Sequence, residues 1–209
     1  MSDAVKVVQF GLGPIGVETA RSMLEKSANG RVRLVGAIDI DPNKVGKDLA
    51  EILQQQEPTG ILVSGNPEEV FRSTQPDVVL HTTSSFLDKI YPQLELCVRS
   101  GVNVISSSEE LFFPFERHPQ LARSLDELAR EHNVVVLGTG VNPGFVMDTL
   151  ALVATGVCNR VRSIRMERVV DASKRRLPLQ RKIGAGLSVQ EFEERKKTGT
   201  FGHNGLRES

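Results

Sequence analysis

The strand-like run VKVVQF at Val5–Phe10 passes directly into GLGPIG at residues 11–16 and then into a helical pattern. That order restricts the fold more than any other feature of the chain. A glycine-rich turn between a buried strand and a helix brings the helix N-terminus to the carboxyl end of the strand. Gly11 suits the tight turn, Gly13 lets a ligand approach the backbone, and Gly16 lets the helix lie against the sheet. Amides of the first helical turn then face a phosphate. The expected cofactor contacts run through the whole turn: Gly11, Leu12, Gly13, Pro14, Ile15 and Gly16.

Further β-branched runs follow at 32–38 (VRLVGAI), 60–64 (GILVS), 77–81 (DVVLH), 102–106 (VNVIS) and 134–138 (VVVLG), and all read as buried strands. Leu87, Ile90, Tyr91, Leu94 and Val98 share one helical stripe between two of them, and Leu121, Leu125, Leu128 and Ala129 share another. Pro92 predicts a kink or a late start in the first of these helices. Steady alternation of strand and helix predicts a Rossmann-type doubly wound parallel sheet over residues 1–145. Asp39 closes the second strand about 20 residues past the last glycine, where a carboxylate binds adenosine ribose hydroxyls. Asp39 and Asp41 oppose a 2′-phosphate and no Arg follows directly, so NAD is favoured over NADP.

The pattern changes after GTGVNPGF. Residues 145–153 are apolar nearly all round, as expected of a buried helix joining two domains. Residues 161–173 (VRSIRMERVVDAS) read as a long strand, and 188–199 as a helix opened by a Ser188–Glu191 capping box. The expectation is therefore an incomplete second α+β domain over 146–209, apparently truncated, because no closing layer follows.

Composition removes several classes of function. The 26 basic side chains are balanced by 26 acidic ones, so no global field favours nucleic acid or an anionic membrane. The basic run DASKRRLPLQRKIGAG at 171–186 has no interleaved aromatics, which argues against a nucleic-acid patch. There is no apolar leader and no membrane-length apolar stretch. Cys97 and Cys158 are far apart and lack His or Cys company, so no metal site is expected; they suit a reducing cytoplasm and buried packing.

Residues just past strand ends are the candidate ligand contacts. Thr82, Thr83 and Ser84 follow the fourth strand and Ser107 the fifth; each either lines the nicotinamide side of a cleft or serves as a turn or cap residue. Asn142 either meets the nicotinamide carboxamide or caps the next helix. His81 reads as a packing residue rather than a base, and His118 and His132 as surface or capping residues. His203, in FGHNG, belongs to a stretch placed to fold over a substrate.

With GLGPIG, HTTSSF and GVNPGF, the N-terminal half resembles the dihydrodipicolinate reductase superfamily. More closely, ERVVDASKRRLPLQRKIGAGLSVQEFEERKKTG followed by FGHNGLRES resembles the 2,4-diaminopentanoate dehydrogenase family, and the likeness extends over essentially the whole chain. Dihydrodipicolinate reductases carry a histidine pair and a lysine where this sequence has Val169 and Val170. Inositol-type dehydrogenases carry Glu-Lys-Pro where it has SSSEELFFP. The resemblance implies NAD(P)-dependent oxidative deamination of the 4-amino group of 2,4-diaminopentanoate, giving 2-amino-4-oxopentanoate and ammonia. It also implies a cytoplasmic homo-oligomer when the protein is full length.

Within that reading, Lys174 is the candidate base, beside Arg175 and Arg176. Glu167 or Asp171 would bind the substrate ammonium or orient water, and Arg175 or Arg176 would hold the carboxylate. Asn142 and His203 complete the candidate substrate contacts. Two alternatives stay open: an imine or ene reductase of the dihydrodipicolinate reductase type, and a non-catalytic dinucleotide-binding redox sensor.

Overall fold

The computed structural model describes residues 4–175 and 177–197, together with Gly205 and Glu208. Its centre is a parallel six-stranded sheet in the order β3-β2-β1-β4-β5-β6. The strands are β1 (Val5–Phe10), β2 (Val32–Ile38), β3 (Val63–Ser64), β4 (Val78–His81), β5 (Asn103–Ser106) and β6 (Val136–Gly138). Six helices accompany them: α1 (Pro14–Ser27), α2 (Leu49–Leu53), α3 (Pro67–Thr74), α4 (Leu87–Arg99), α5 (Glu109–Phe112) and α6 (Pro119–Glu131). The Rossmann-type doubly wound sheet expected from sequence is present, with β1 and β2 at their predicted bounds. The third strand is much shorter than predicted, because only Val63 and Ser64 find ladder partners on β2.

Both faces of the sheet centre are buried. Successive residues of a strand point to opposite faces, so Val8 and Phe10 join one core and Val7 the other. On the first face they meet Val79, Val104, Ile90 and Leu94, with Leu125 and Leu128 of α6. On the second, Val7, Leu34 and Ala37 pack with Leu12, Ala20, Leu49 and Leu53. Leu80, Ile105 and Leu137 form a cross-strand row through β4, β5 and β6. That row opens to solvent toward the β6 edge, where Ile105 is 38% and Leu137 48% exposed.

Pro92 does not delay α4, which starts at Leu87 and runs through it. The proline has no N–H to offer Asp88, and both residues lie on the exposed side of the helix, where water can satisfy that carbonyl.

After β6 two expectations fail. Phe145–Thr149 forms a π-helical turn that continues into α7 (Leu150–Thr155), but this helix is exposed, with Leu152 67% and Val153 70% accessible. Its all-round apolar character says that it needs cover without saying what supplies it. Residues 161–173 form no strand: they are irregular as far as a 3₁₀ turn at Ala172–Lys174. A strand needs a ladder partner for its backbone groups, and none lies beside this segment among the described residues. Two helices follow, α8 (Leu177–Lys182) and α9 (Val189–Lys197). The Ser188 capping box forms as expected, with Ser188 N donating to Glu191 Oε2 at 2.9 Å and Glu191 N to Ser188 Oγ at 3.3 Å. Only one cysteine packs as expected: Cys97 is buried and Cys158 is exposed.

Candidate dinucleotide site

The strand order reverses between β1 and β4, and the crevice at that switch point lies at the carboxyl ends of the strands. The glycine turn occupies it. Gly11 has φ +92°, a left-handed conformation that a side chain would strain, and its N–H donates to Ile38 O at 2.8 Å. A Cβ added at Gly16 would sit 1.8 Å from the Gly11 carbonyl oxygen, so α1 reaches the sheet only because residue 16 has no side chain.

Gly13 differs from both. Its φ is −64°, and a Cβ there would meet nothing within 4 Å, so open space lies above its backbone. It is also the N-cap of α1 and has no side chain to cap the first-turn amides. Uncapped amides beside open space fit a pyrophosphate, whose charge the helix N-terminus favours. Leu12 is buried and Ile15 is exposed at the rim.

Asp39 is held at the end of β2 by the same turn. Leu12 N donates to its Oδ2 at 2.6 Å and Asp41 N to its Oδ1 at 2.8 Å. Lys44 Nζ lies 3.4 Å from Asp39 Oδ2 and 3.5 Å from Asp41 Oδ2. The sequence reading missed Lys44, since only folding of the 41–45 turn swings it back over the carboxylates. Backbone donation by Asn43 holds the Asp41 carboxyl below its ordinary range.

A polar residue under the turn was also missed. Gln9, fully buried in β1, donates through Nε2 to Gly11 O and to Thr82 Oγ1, each at 2.8 Å. Thr82 Oγ1 in turn donates to Gly11 O at 2.9 Å, so this threonine supports the turn from below. The available signal was a glutamine inside an otherwise apolar strand. Glu110 likewise lies buried after β5: it accepts from Leu87 N at 2.8 Å and pairs with His118 at 2.9 Å and Arg117 at 3.1 Å. It thereby fastens the start of α4 to the segment that follows β5.

The remaining candidates fall into two groups. Thr83, Ser84 and Ser107 lie at the strand ends over β4 and β5; Ser107 N donates to His81 O at 3.0 Å. Asn142 precedes Pro143 through a cis bond near the end of β6. The N-cap position of the next helix is held by Gly144, whose N–H donates to Asp148 Oδ2 at 2.8 Å. Gly205 lies against Glu109 and Pro143, so the far end of the described chain returns to these same loops.

The second group is local in its contacts. Lys174 Nζ pairs with Asp171 Oδ2 at 3.8 Å, with 83% of the lysine side chain exposed. Glu167 pairs with Arg165, and Arg175 is also exposed. Hydrogen bonds from Ser173 hold the Asp171 carboxyl below its ordinary range. Arg176 and His203 lie outside the described residues.

A glycine turn without a helix cap, an acidic residue closing β2 and a 3-2-1-4-5-6 sheet define the class: a Rossmann-type dinucleotide-binding domain of the kind found in dehydrogenases. Residues 145–209 match the family model described as the 2,4-diaminopentanoate dehydrogenase C-terminal domain. The chain is 36% identical to 2,4-diaminopentanoate dehydrogenase of Acetoanaerobium sticklandii over 99% of its own length and 58% of that protein. Among solved structures, amine dehydrogenase from Mycobacterium smegmatis is 34% identical and superposes with a TM-score of 0.68, over 77% of this chain and 46% of that one. GenD2 from gentamicin A biosynthesis, solved in complex with NAD, shares the fold at 23% identity and a TM-score of 0.50, over 66% of this chain and 35% of its own. The chain is thus a relative of 2,4-diaminopentanoate dehydrogenase and of amine dehydrogenase, and it spans about half the length of these relatives.

Proposed function

We propose that this chain forms the cofactor-binding part, with the beginning of the substrate-binding part, of an NAD-preferring amine dehydrogenase. The substrate is 2,4-diaminopentanoate, deaminated oxidatively at its 4-amino group to 2-amino-4-oxopentanoate and ammonia. The observation that carries this reading is the 36% identity along 99% of the chain, with the glycine turn and Asp39 in place at the switch point. Residues 1–145 are the dinucleotide domain, and 146–209 begin the substrate and oligomerisation domain. The whole protein is a cytoplasmic homo-oligomer; among the described residues, no helix is long and apolar enough to cross a membrane.

Gly11, Gly13 and Gly16, with the first-turn amides of α1, hold the pyrophosphate, and Asp39 takes the adenosine ribose. Asp39 and Asp41 oppose a 2′-phosphate and outnumber Lys44, which supports the preference for NAD. When bound, the nicotinamide ring supplies the hydride acceptor. The chain's own residues bind and orient the amine. Lys174 takes the proton, Asp171 or Glu167 holds the ammonium or a water, and Arg175 or Arg176 grips the carboxylate. Asn142 and His203 complete the substrate side. Because Lys174 and Asp171 are exposed, the rest of the whole protein must close over them to exclude water.

The test is an amine panel assayed with NAD and with NADP on the whole protein. Reduced cofactor should appear only with 2,4-diaminopentanoate or a close diamino acid, and faster with NAD. Lys174→Ala should lower turnover by about 100-fold, the size of a lost general base. Near-normal turnover in that variant would remove Lys174 from the mechanism. Tight NADH binding with no amine-dependent turnover would point instead to a redox sensor.

A further inference from the structure

His81 closes β4 and is wholly buried in a strand whose other members are aliphatic. A buried imidazole pays the desolvation of any ring nitrogen left without a partner. Here both have partners. Nε2 lies 2.7 Å from Gln93 Oε1 and 3.0 Å from Thr83 Oγ1, whose hydroxyl donates to Gln93 Oε1 at 2.7 Å. Gln93 Oε1 can only accept, so Nε2 carries the proton and Nδ1 is bare. Ser106 Oγ, 3.0 Å from Nδ1, therefore donates to it, and the same Oγ accepts Ser108 N–H at 3.1 Å. The result is a directed chain from Ser108 through Ser106 to His81, and from His81 to Gln93, where Thr83 joins it. Phe10 fixes the ring plane from its edge, with centroids 5.4 Å apart.

The position of this chain gives it a role. It ties together the loop after β4, the loop after β5 and helix α4. Those loops lie across the switch point from Asp39, over the strands that receive the second mononucleotide. An aliphatic residue would fill the site at less cost, so stability alone does not call for an imidazole. We propose that His81 is a positioning residue, holding Thr83 and the Ser106–Ser108 loop in the arrangement that receives the nicotinamide half of the dinucleotide. The inference rests on the dinucleotide-binding reading above. It adds a residue that touches no cofactor atom and acts through Thr83 and Ser108.

Binding of NADH and of ADP-ribose to the parent, to His81→Gln and to Ser106→Ala separates this from a general packing role. ADP-ribose keeps the adenosine, the pyrophosphate and the second ribose and lacks only the nicotinamide ring, so the difference between the two ligands reports the contacts of that ring. In both variants NADH affinity should fall about tenfold or more, while ADP-ribose affinity stays within about twofold. Equal losses for the two ligands, or no loss for either, would overturn the assignment. If circular dichroism shows His81→Gln unfolded, Ser106→Ala decides, since it removes one hydroxyl and leaves the ring in place. A parent that binds neither ligand would instead overturn the dinucleotide reading itself.

Discussion

Gly13→Ala and Gly16→Ala should fail in different ways. At Gly16 the new methyl would lie 1.8 Å from the Gly11 carbonyl oxygen, a backbone atom that cannot swing aside. The helix must move off the sheet, and overpacking of this kind costs about 3 kcal/mol or more. Gly16→Ala should therefore lose both stability in urea and dinucleotide binding. At Gly13 the methyl meets nothing within 4 Å and the backbone is at φ −64°, which alanine adopts freely. Gly13→Ala should unfold at nearly the parent urea concentration yet bind NADH at least about tenfold more weakly, since the methyl takes the space a pyrophosphate needs. Unchanged NADH affinity in Gly13→Ala would show that the ligand does not approach this turn.

A second large effect concerns acid. Burial pushes the His81 pKa down from its ordinary 6.5 to about 4, because the cation would lose its water inside the sheet. The unfolded chain therefore binds a proton between those values and the folded chain does not. The stability gained by keeping the ring neutral is complete above about pH 6.5 and is lost as pH falls toward 4. A displacement from 6.5 to about 4 corresponds to about 3 kcal/mol, most of which should be gone at about pH 4.5. The named partners of the ring, Ser106, Gln93, Thr83 and Phe10, are uncharged, so nothing among them offsets a buried imidazolium. His81→Gln should show a markedly smaller drop in urea midpoint between pH 7 and 4.5; equal drops would assign the acid sensitivity elsewhere. Asp48 titrates in a separate window. Bonds from Ala50, Thr59 and Gly60 lower its carboxyl to about 2, and the support it gives is lost only as pH falls below about 4.

These predictions draw unequally on sequence and structure. The strands were legible because a parallel sheet buries both faces, and continuous β-branched runs such as Val5–Phe10 have few other uses. Gly11, Gly16 and Asp39 were legible because their spacing reflects a fixed strand–turn–helix geometry. Gln9 and Glu110 were not, since each has a partner from a distant part of the chain, Thr82 Oγ1 for Gln9 and Leu87 N for Glu110. Residues 161–173 show the converse. Their composition suits a strand, but a strand exists only beside another, and composition does not reveal the neighbour. The same holds for residues 145–153, whose apolar surface calls for cover that the sequence does not name. For Lys174, Asp171 and Arg175, the sequence supplied candidate chemistry and the structure supplies their local, exposed contacts.

The uneven placement of the two cysteines has a practical side. Cys97 is packed in α4, where burial pushes its thiol up to about 12, so it holds almost no thiolate at neutral pH. Cys158 is exposed, just past α7 at the junction between the sheet domain and the basic segment. A maleimide dye should therefore attach once per chain without any mutation. That single fluorophore would sit where the two parts of the molecule meet, ready to report any change in their relation when NADH is added.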